Sequence, residues 1–66
     1  MTPTDLRTRR TGLGLTQAQL GALLWDNPQS GRVTIAKLET GAWPITRRTA
    51  AWLDLELRRL EAPERA

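Results

Sequence analysis

The sequence predicts an all-α domain of four helices, with a fifth short helix as the alternative, and an extended turn between the second and third. Three observations carry this. Apolar residues recur at the i, i+3, i+4 spacing of a helix face in the later segments. Most segments open on a threonine cap and close on glycine or proline. No stretch alternates apolar and polar residues as a half-buried strand would. The 66 residues make one small domain, 1–66, whose surface-to-volume ratio makes tight helix packing or oligomerisation necessary.

Each element has its own local signals. In "TPTDLRTRRTG" Thr2 is a candidate N-cap, Pro3 suits the first helical position and Asp5 complements the helix N-terminus, so helix 1 is placed at about 3–11. Gly12 and Gly14 end it, and Leu13 and Leu15 anchor the connection. Thr16 followed by Gln19 is a capping box, which opens helix 2 at about 17–25, with Leu20, Leu23 and Leu24 as its buried stripe. Asn27-Pro28 and Ser30-Gly31 are turn formers, and Pro28 removes a donor that a continuing helix would use. Asp26 to Gly31 is therefore expected as an enlarged turn, its base anchored to the core by Trp25. Helix 3 follows at about 31–40, with Ile35 and Leu38 inward and Gly41 beyond its end. After "AWPI", where Trp43 is expected to plug the loop against the core, Thr46 opens the last helix at about 46–61. Its stripe is Ala50, Leu53, Leu57 and Leu60, Pro63 ends it, and the tail "APERA" is expected to fray.

Composition removes several classes of function. The chain has no Cys and no His, hence no disulfide, no thiolate and none of the commonest general base or metal ligand. No metal site, cofactor or small-molecule ligand is expected. The carboxylates Asp5, Asp26, Glu39, Asp54, Glu56, Glu61 and Glu64 form no motif with a catalytic geometry, so an enzyme is not expected. No apolar run approaches the roughly 20 residues that cross a bilayer, and no signal segment follows Met1; a soluble, cytoplasmic chain is expected. Ten basic groups against seven acidic give +3, and nine of the ten are arginines. Arginine forks suit phosphates and base edges, although a charge of this size is also that of an ordinary solvated surface.

The stretches "LGLTQAQLGALL" and "TIAKLETG" resemble the Cro/repressor (phage repressor-like, XRE) helix-turn-helix family from about Leu6 to Gly41. The resemblance rests on Thr-Gln and the spaced leucines opening helix 2, and on the Ile, Glu and Gly that close helix 3. It implies a sequence-specific DNA-binding regulator with helix 3 as recognition helix. Gly21 would stand where helices 2 and 3 approach closely. Thr16 and Gln17, at the start of helix 2, would meet phosphate. Arg32, Val33, Ala36 and Lys37 would face bases in the major groove, Arg32 and Lys37 towards guanine and Val33 or Ala36 towards a thymine methyl. Ser30, Thr34, Arg47 and Arg48 would reach phosphates. Arg10 and Glu39 match a structural ion pair of the family. The segment from Leu24 to Ile35 departs from the family by about four extra residues, and Asn27, Gln29, Ser30 and Arg32 would then add contacts to DNA.

The last helix carries a second apolar side. Trp52 and Leu55 lie away from the Leu53/Leu57 stripe, beside Arg48 and Arg59, which predicts a homodimer with Trp52, Leu55 and Arg59 at its interface. A two-fold dimer would bind an inverted-repeat double-stranded operator and repress by occlusion, including at its own operon. Small proteins of the resembled type include phage repressors, antitoxins and regulators encoded beside anti-CRISPR genes. The alternative is a protein-binding module, in which the Trp52/Leu55 face grips a toxin or polymerase partner.

Overall fold

Four helices follow one another, and each begins where a side chain satisfies the amide groups its first turn leaves open. The structure, a computed structural model, describes residues 1–62; Pro63 and the expected frayed end lie outside them. Helix α1 (Pro3–Gly12) opens on a reciprocal capping box: Asp5 N–H donates to Thr2 Oγ1 (3.0 Å) and Thr2 N–H donates to Asp5 Oδ2 (3.1 Å). Helix α2 (Gln17–Trp25) repeats the device with Thr16 and Gln19. Helix α3 (Pro28–Thr40) is capped by Asn27, whose Oδ1 accepts from the amides of Gln29 and Ser30 (3.1 Å each). Helix α4 (Arg47–Glu61) is capped by Thr46, which accepts from Thr49 N–H. No strand occurs among the described residues, and no helix there is long and apolar enough to cross a membrane.

The enlarged turn is the main correction. Asp26 and Asn27 alone join α2 to α3, and the residues expected in a loop form the first turn of α3 instead. Asn-Pro here is an N-cap followed by the first helical residue, where a missing N–H costs nothing because no carbonyl waits for it. Asp26 makes the reversal by adopting a left-handed conformation (φ 54°, ψ 28°), which aspartate tolerates better than most residues. Pro28 to Gly31, expected as loop, therefore add about one turn to α3.

Directly beyond that turn the two backbones touch. A Cβ placed on Gly21 would lie 2.6 Å from Gly31 Cα and Arg32 N, and one placed on Gly31 would lie 2.5 Å from the Gly21 carbonyl oxygen. Only glycine at both positions permits the crossing. Gly31, which looked like a turn former, is the second half of this contact. The crossing also sets the rotation of α2. With Gly21 against α3, Leu20 is fully buried and Leu24 packs on the core, whereas Leu23, about 200° round the helix from Gly21, is 57% exposed. Its expected place in the buried stripe is lost for that reason.

The core joins all four helices: Leu6 from α1, Leu20 from α2, Ile35 and Leu38 from α3, Leu53 and Leu57 from α4. Burying each such side chain contributes about 1.5–3 kcal/mol. Leu13, Leu15, Ile45 and Leu60 close its margins, as does Trp52. Trp25, expected to anchor the turn to the core, is 36% exposed and meets the core through Trp52, with ring centroids 5.3 Å apart and planes tilted by 55°, an aromatic contact that ties the end of α2 to α4.

A second tie, invisible in the sequence patterns, joins α1 to α4. Arg9 donates through Nε and Nη2 to both Glu61 oxygens and through Nη1 to Asp54 Oδ1, all at 2.8 Å. These bonds hold the Asp54 and Glu61 carboxyls below the ordinary carboxylate range, with the Arg9 hydrogen bond the largest cause in each.

Two predictions follow from this packing. Gly21→Ala should cost about 3 kcal/mol in urea unfolding, the upper part of the range for overpacking, because backbone atoms on α3 cannot yield as a side chain can. Gly12→Ala, with nothing within 4 Å of the added methyl, should be neutral or stabilise by up to about 1 kcal/mol. The second prediction concerns acid. Asp54 and Glu61 have depressed values in the folded state, so their contribution is complete above the unfolded value near 4 and vanishes as pH falls through the folded value. The melting temperature of the wild type should drop more steeply than that of Arg9→Gln between about pH 5 and pH 2, the two converging at the acid end.

Candidate nucleic-acid interface

The outward face of α3 is set by what turns inward. Gly31, Ile35 and Leu38 are buried, and at about 100° per residue the opposite side is centred on Val33. Gln29, Val33 and Lys37 are exposed there, Ala36 is half-buried, and Arg32 is exposed on one flank. The Ser30 hydroxyl is on the other flank, next to Thr34, with Trp43 alongside. The phase of this face is fixed by Ile35 and Leu38, so starting α3 at Pro28 rather than at residue 31 leaves it unchanged.

Charge along this part of the sequence is unbalanced. From Asn27 to Leu53 the only carboxylate is Glu39, and its side chain is 4% exposed. The same stretch carries Arg32, Lys37, Arg47 and Arg48, none of them paired with a carboxylate among the described residues. Most described arginines elsewhere differ: Arg9 is paired with Asp54 and Glu61, Arg10 with Glu39, Arg58 with Asp54 (3.0 Å) and Arg59 with Glu56 (3.5 Å), and Arg7 on α1 alone is exposed without a carboxylate partner among the described residues. Arg47 and Arg48 open α4, whose first turn has no acidic residue. Cations at that end oppose the helix dipole by a few tenths to about 1 kcal/mol each. Folding alone would favour aspartate or glutamate there.

Glu39 is held by three hydrogen bonds from two residues. Arg10 donates to it through Nε (2.6 Å) and Nη2 (3.0 Å), and Gln17 through Nε2 (3.1 Å). Arg10 also donates through Nη1 to the Leu15 carbonyl (2.9 Å). The Glu39 hydrogen bonds keep the Arg10 guanidinium protonated more firmly than usual, against the opposing effect of burial. No buried side-chain nitrogen or oxygen among the described residues lacks a partner. This cluster locks the start of α2 and the end of α3 to α1.

Several residues expected at phosphates are engaged within the protein instead. The Gln17 amide is taken up by Glu39, because a buried carboxylate recruits every donor within reach. Asn27 spends its Oδ1 on capping α3, leaving Nδ2 free. The Thr34 hydroxyl donates to the Ser30 carbonyl (2.9 Å), the backward bond usual for threonine inside a helix. Thr16 accepts from Gln19 N–H, and its own hydroxyl proton stays available. Gln29, Ser30, Arg47 and Arg48 are exposed. On α4, Trp52 packs on the core and on Trp25, whereas Leu55 is 57% exposed and Arg59 is exposed with its guanidinium near Glu56.

Trp43 was expected as a plug for its loop and is 47% exposed. Gly41 turns the chain at φ 82°, and Trp43 N–H donates to the Lys37 carbonyl (3.2 Å), which folds the loop back along α3. The available signal was the setting: "GAWPI" supplies no helical stripe to carry the ring inward. Comparison of the chain with protein-family models, with curated proteins and with solved structures gives no match.

Glu39→Ala should lower stability by about 3–5 kcal/mol, since it strands the Arg10 charge. Urea denaturation measures it, and an unchanged midpoint would reduce the pair to the value of an exposed one, under about 1 kcal/mol.

Proposed function

We propose that the chain is a sequence-specific DNA-binding transcription regulator of the Cro/repressor helix-turn-helix kind, with α3 as the recognition helix. The observation that carries this is the segregation of charge. Unpaired Arg32, Lys37, Arg47 and Arg48 occupy a stretch whose one carboxylate is buried, while the other acidic residues of α1 and α4 serve capping or ion pairs. The close-packed α2–α3 unit supports the reading, because a recognition helix must be presented rigidly to a groove. On this reading α3 enters the major groove with Arg32 and Lys37 donating to base edges, and Arg47 and Arg48 meet phosphates.

A homodimer would set two α3 helices about 34 Å apart on an inverted repeat. Leu23 and Leu55, each 57% exposed, are the apolar side chains left for a dimer contact, since Trp52 is packed within its own chain. The same pair favours the rival reading, a protein-binding module, and is the reason to keep it in view.

A mobility-shift series on the DNA upstream of the gene, with rising salt, tests the proposal. Specific retardation that weakens steeply with salt is expected, because neutralised phosphates release counterions. Arg32→Ala and Lys37→Ala should each cost about 1–3 kcal/mol on the specific duplex. Arg47→Ala and Arg48→Ala should weaken all duplexes alike and lower the salt slope by about 1 each. No retained duplex, even from a randomised pool, would leave the protein-binding reading.

A further inference from the structure

Trp43 and Val33 line an open trough of about 500 Å³ on the outward side of α3, together with Asn27, Gln29, Ser30 and Thr34. We propose that this trough takes the 5-methyl group of a thymine in the major groove, which makes Trp43 a specificity-determining residue of the DNA-reading surface. The inference rests on the proposed DNA reading and adds to it a residue outside α3, which would flank the thymine expected beside Val33.

The occupant follows from the chemistry of the walls. The floor is apolar and solvent-facing: Val33 is 39% and Trp43 47% exposed, and the indole N–H finds no acceptor among the described residues. A ligand here gains by covering hydrocarbon. The rim is polar but uncharged, with the Ser30 hydroxyl, the Gln29 amide and the Asn27 Nδ2 as donors. No carboxylate of the described residues lines the trough; Glu39, the one on α3, is buried in its own ion pair, and the exposed Asp26 stands beside Asn27 at one end. A polyanion with apolar projections matches these walls, and the thymine methyl is the apolar projection of the major groove. A drug-sized molecule fits poorly, since such ligands bury most of their surface in enclosed pockets, whereas this trough is open along its length. The position agrees as well: Val33 is the centre of the outward face, so a duplex that meets Arg32 on one flank meets Trp43 on the other.

The test uses the full chain and a duplex recovered from a randomised pool by repeated binding. Each thymine is then replaced singly by deoxyuridine, which removes the methyl and keeps every hydrogen-bonding group. One position per half-site should lose about fourfold in affinity, the weight of one buried methyl. That loss should disappear in Trp43→Ala and in Val33→Ala and persist in part in Trp43→Phe. Both side chains are exposed, and circular dichroism checks that the variants fold. A flat deoxyuridine scan on a duplex that the wild type binds specifically overturns the proposal and leaves the DNA reading standing. A methyl effect that survives unchanged in Trp43→Ala also overturns it, even where Val33→Ala abolishes the effect. Failure to recover any specific duplex removes the DNA reading, and the thymine assignment with it.

Discussion

The contact of Gly21 with Gly31 is the constraint on which the rest of this small structure depends. Two helix backbones meet where a methyl group on either would overlap main-chain atoms of the other. Each glycine costs about 0.5–1 kcal/mol relative to alanine in a helix, and the packing that the close approach allows must offset both. The contact does more than bring α2 and α3 together, because it fixes the rotation of each about its axis. On α2 it sends Leu20 and Leu24 inward and Leu23 out. On α3 it sends Ile35 and Leu38 inward, and thereby presents Arg32, Val33 and Lys37 to solvent. The proposed reading surface is thus the complement of a glycine contact on the opposite side of the same helix.

Helix α1 works as the hub for the remaining elements, through two adjacent arginines. Successive residues on a helix point about 100° apart, so Arg9 and Arg10 reach different neighbours. Arg9 holds Asp54 and Glu61 on α4, and Arg10 holds Glu39 on α3. Their energetic weights differ. The Arg9 contacts are partly exposed and screened by solvent, whereas the Arg10–Glu39 pair is nearly enclosed and would leave an uncompensated charge if broken. There is also an electrostatic consequence at a distance. By holding Glu39, Asp54 and Glu61, α1 neutralises three carboxylates, while Arg32, Lys37, Arg47 and Arg48 stand unpaired among the described residues.

What could be read from the sequence was what is decided within a few residues. The caps at Thr2, Thr16 and Thr46 act from i to i+3, and the helices they open were legible to within a residue. The outward positions 32, 33, 36 and 37 were legible too, because Ile35 and Leu38 set the phase. Asn27-Pro28 was misread because one dipeptide serves two ends of a helix: it stops the helix before it and starts the helix after it. Gly31 was misread likewise, since a turn glycine and a crossing glycine look alike until the opposing backbone is known. Arg9–Glu61 spans 52 residues and follows no periodicity. Thr34 finds its acceptor one turn back, at the Ser30 carbonyl, which a reading aimed outward overlooked, whereas Gln17 finds Glu39, 22 residues away, which no local pattern reveals.

Replacing a loop by a helical turn changes the physical character of the surface before α3. A loop carrying Gln29 and Ser30 would have to be ordered upon binding, at a cost of about 1–2 kcal/mol per residue for the backbone alone. As the first turn of α3, capped by Asn27, the same residues are ordered in the free protein. Their backbone positions are then set by the Gly21–Gly31 crossing a few residues away, and little ordering remains to oppose association. The added turn also extends the helix at its N-terminal end, the end that recognition helices direct at base edges, and at that end no acidic side chain stands in the first turn to repel a phosphate. Beside the crossing and ahead of Arg32, this first turn therefore enlarges the pre-ordered outward surface of α3 on the proposed reading side without disturbing the core.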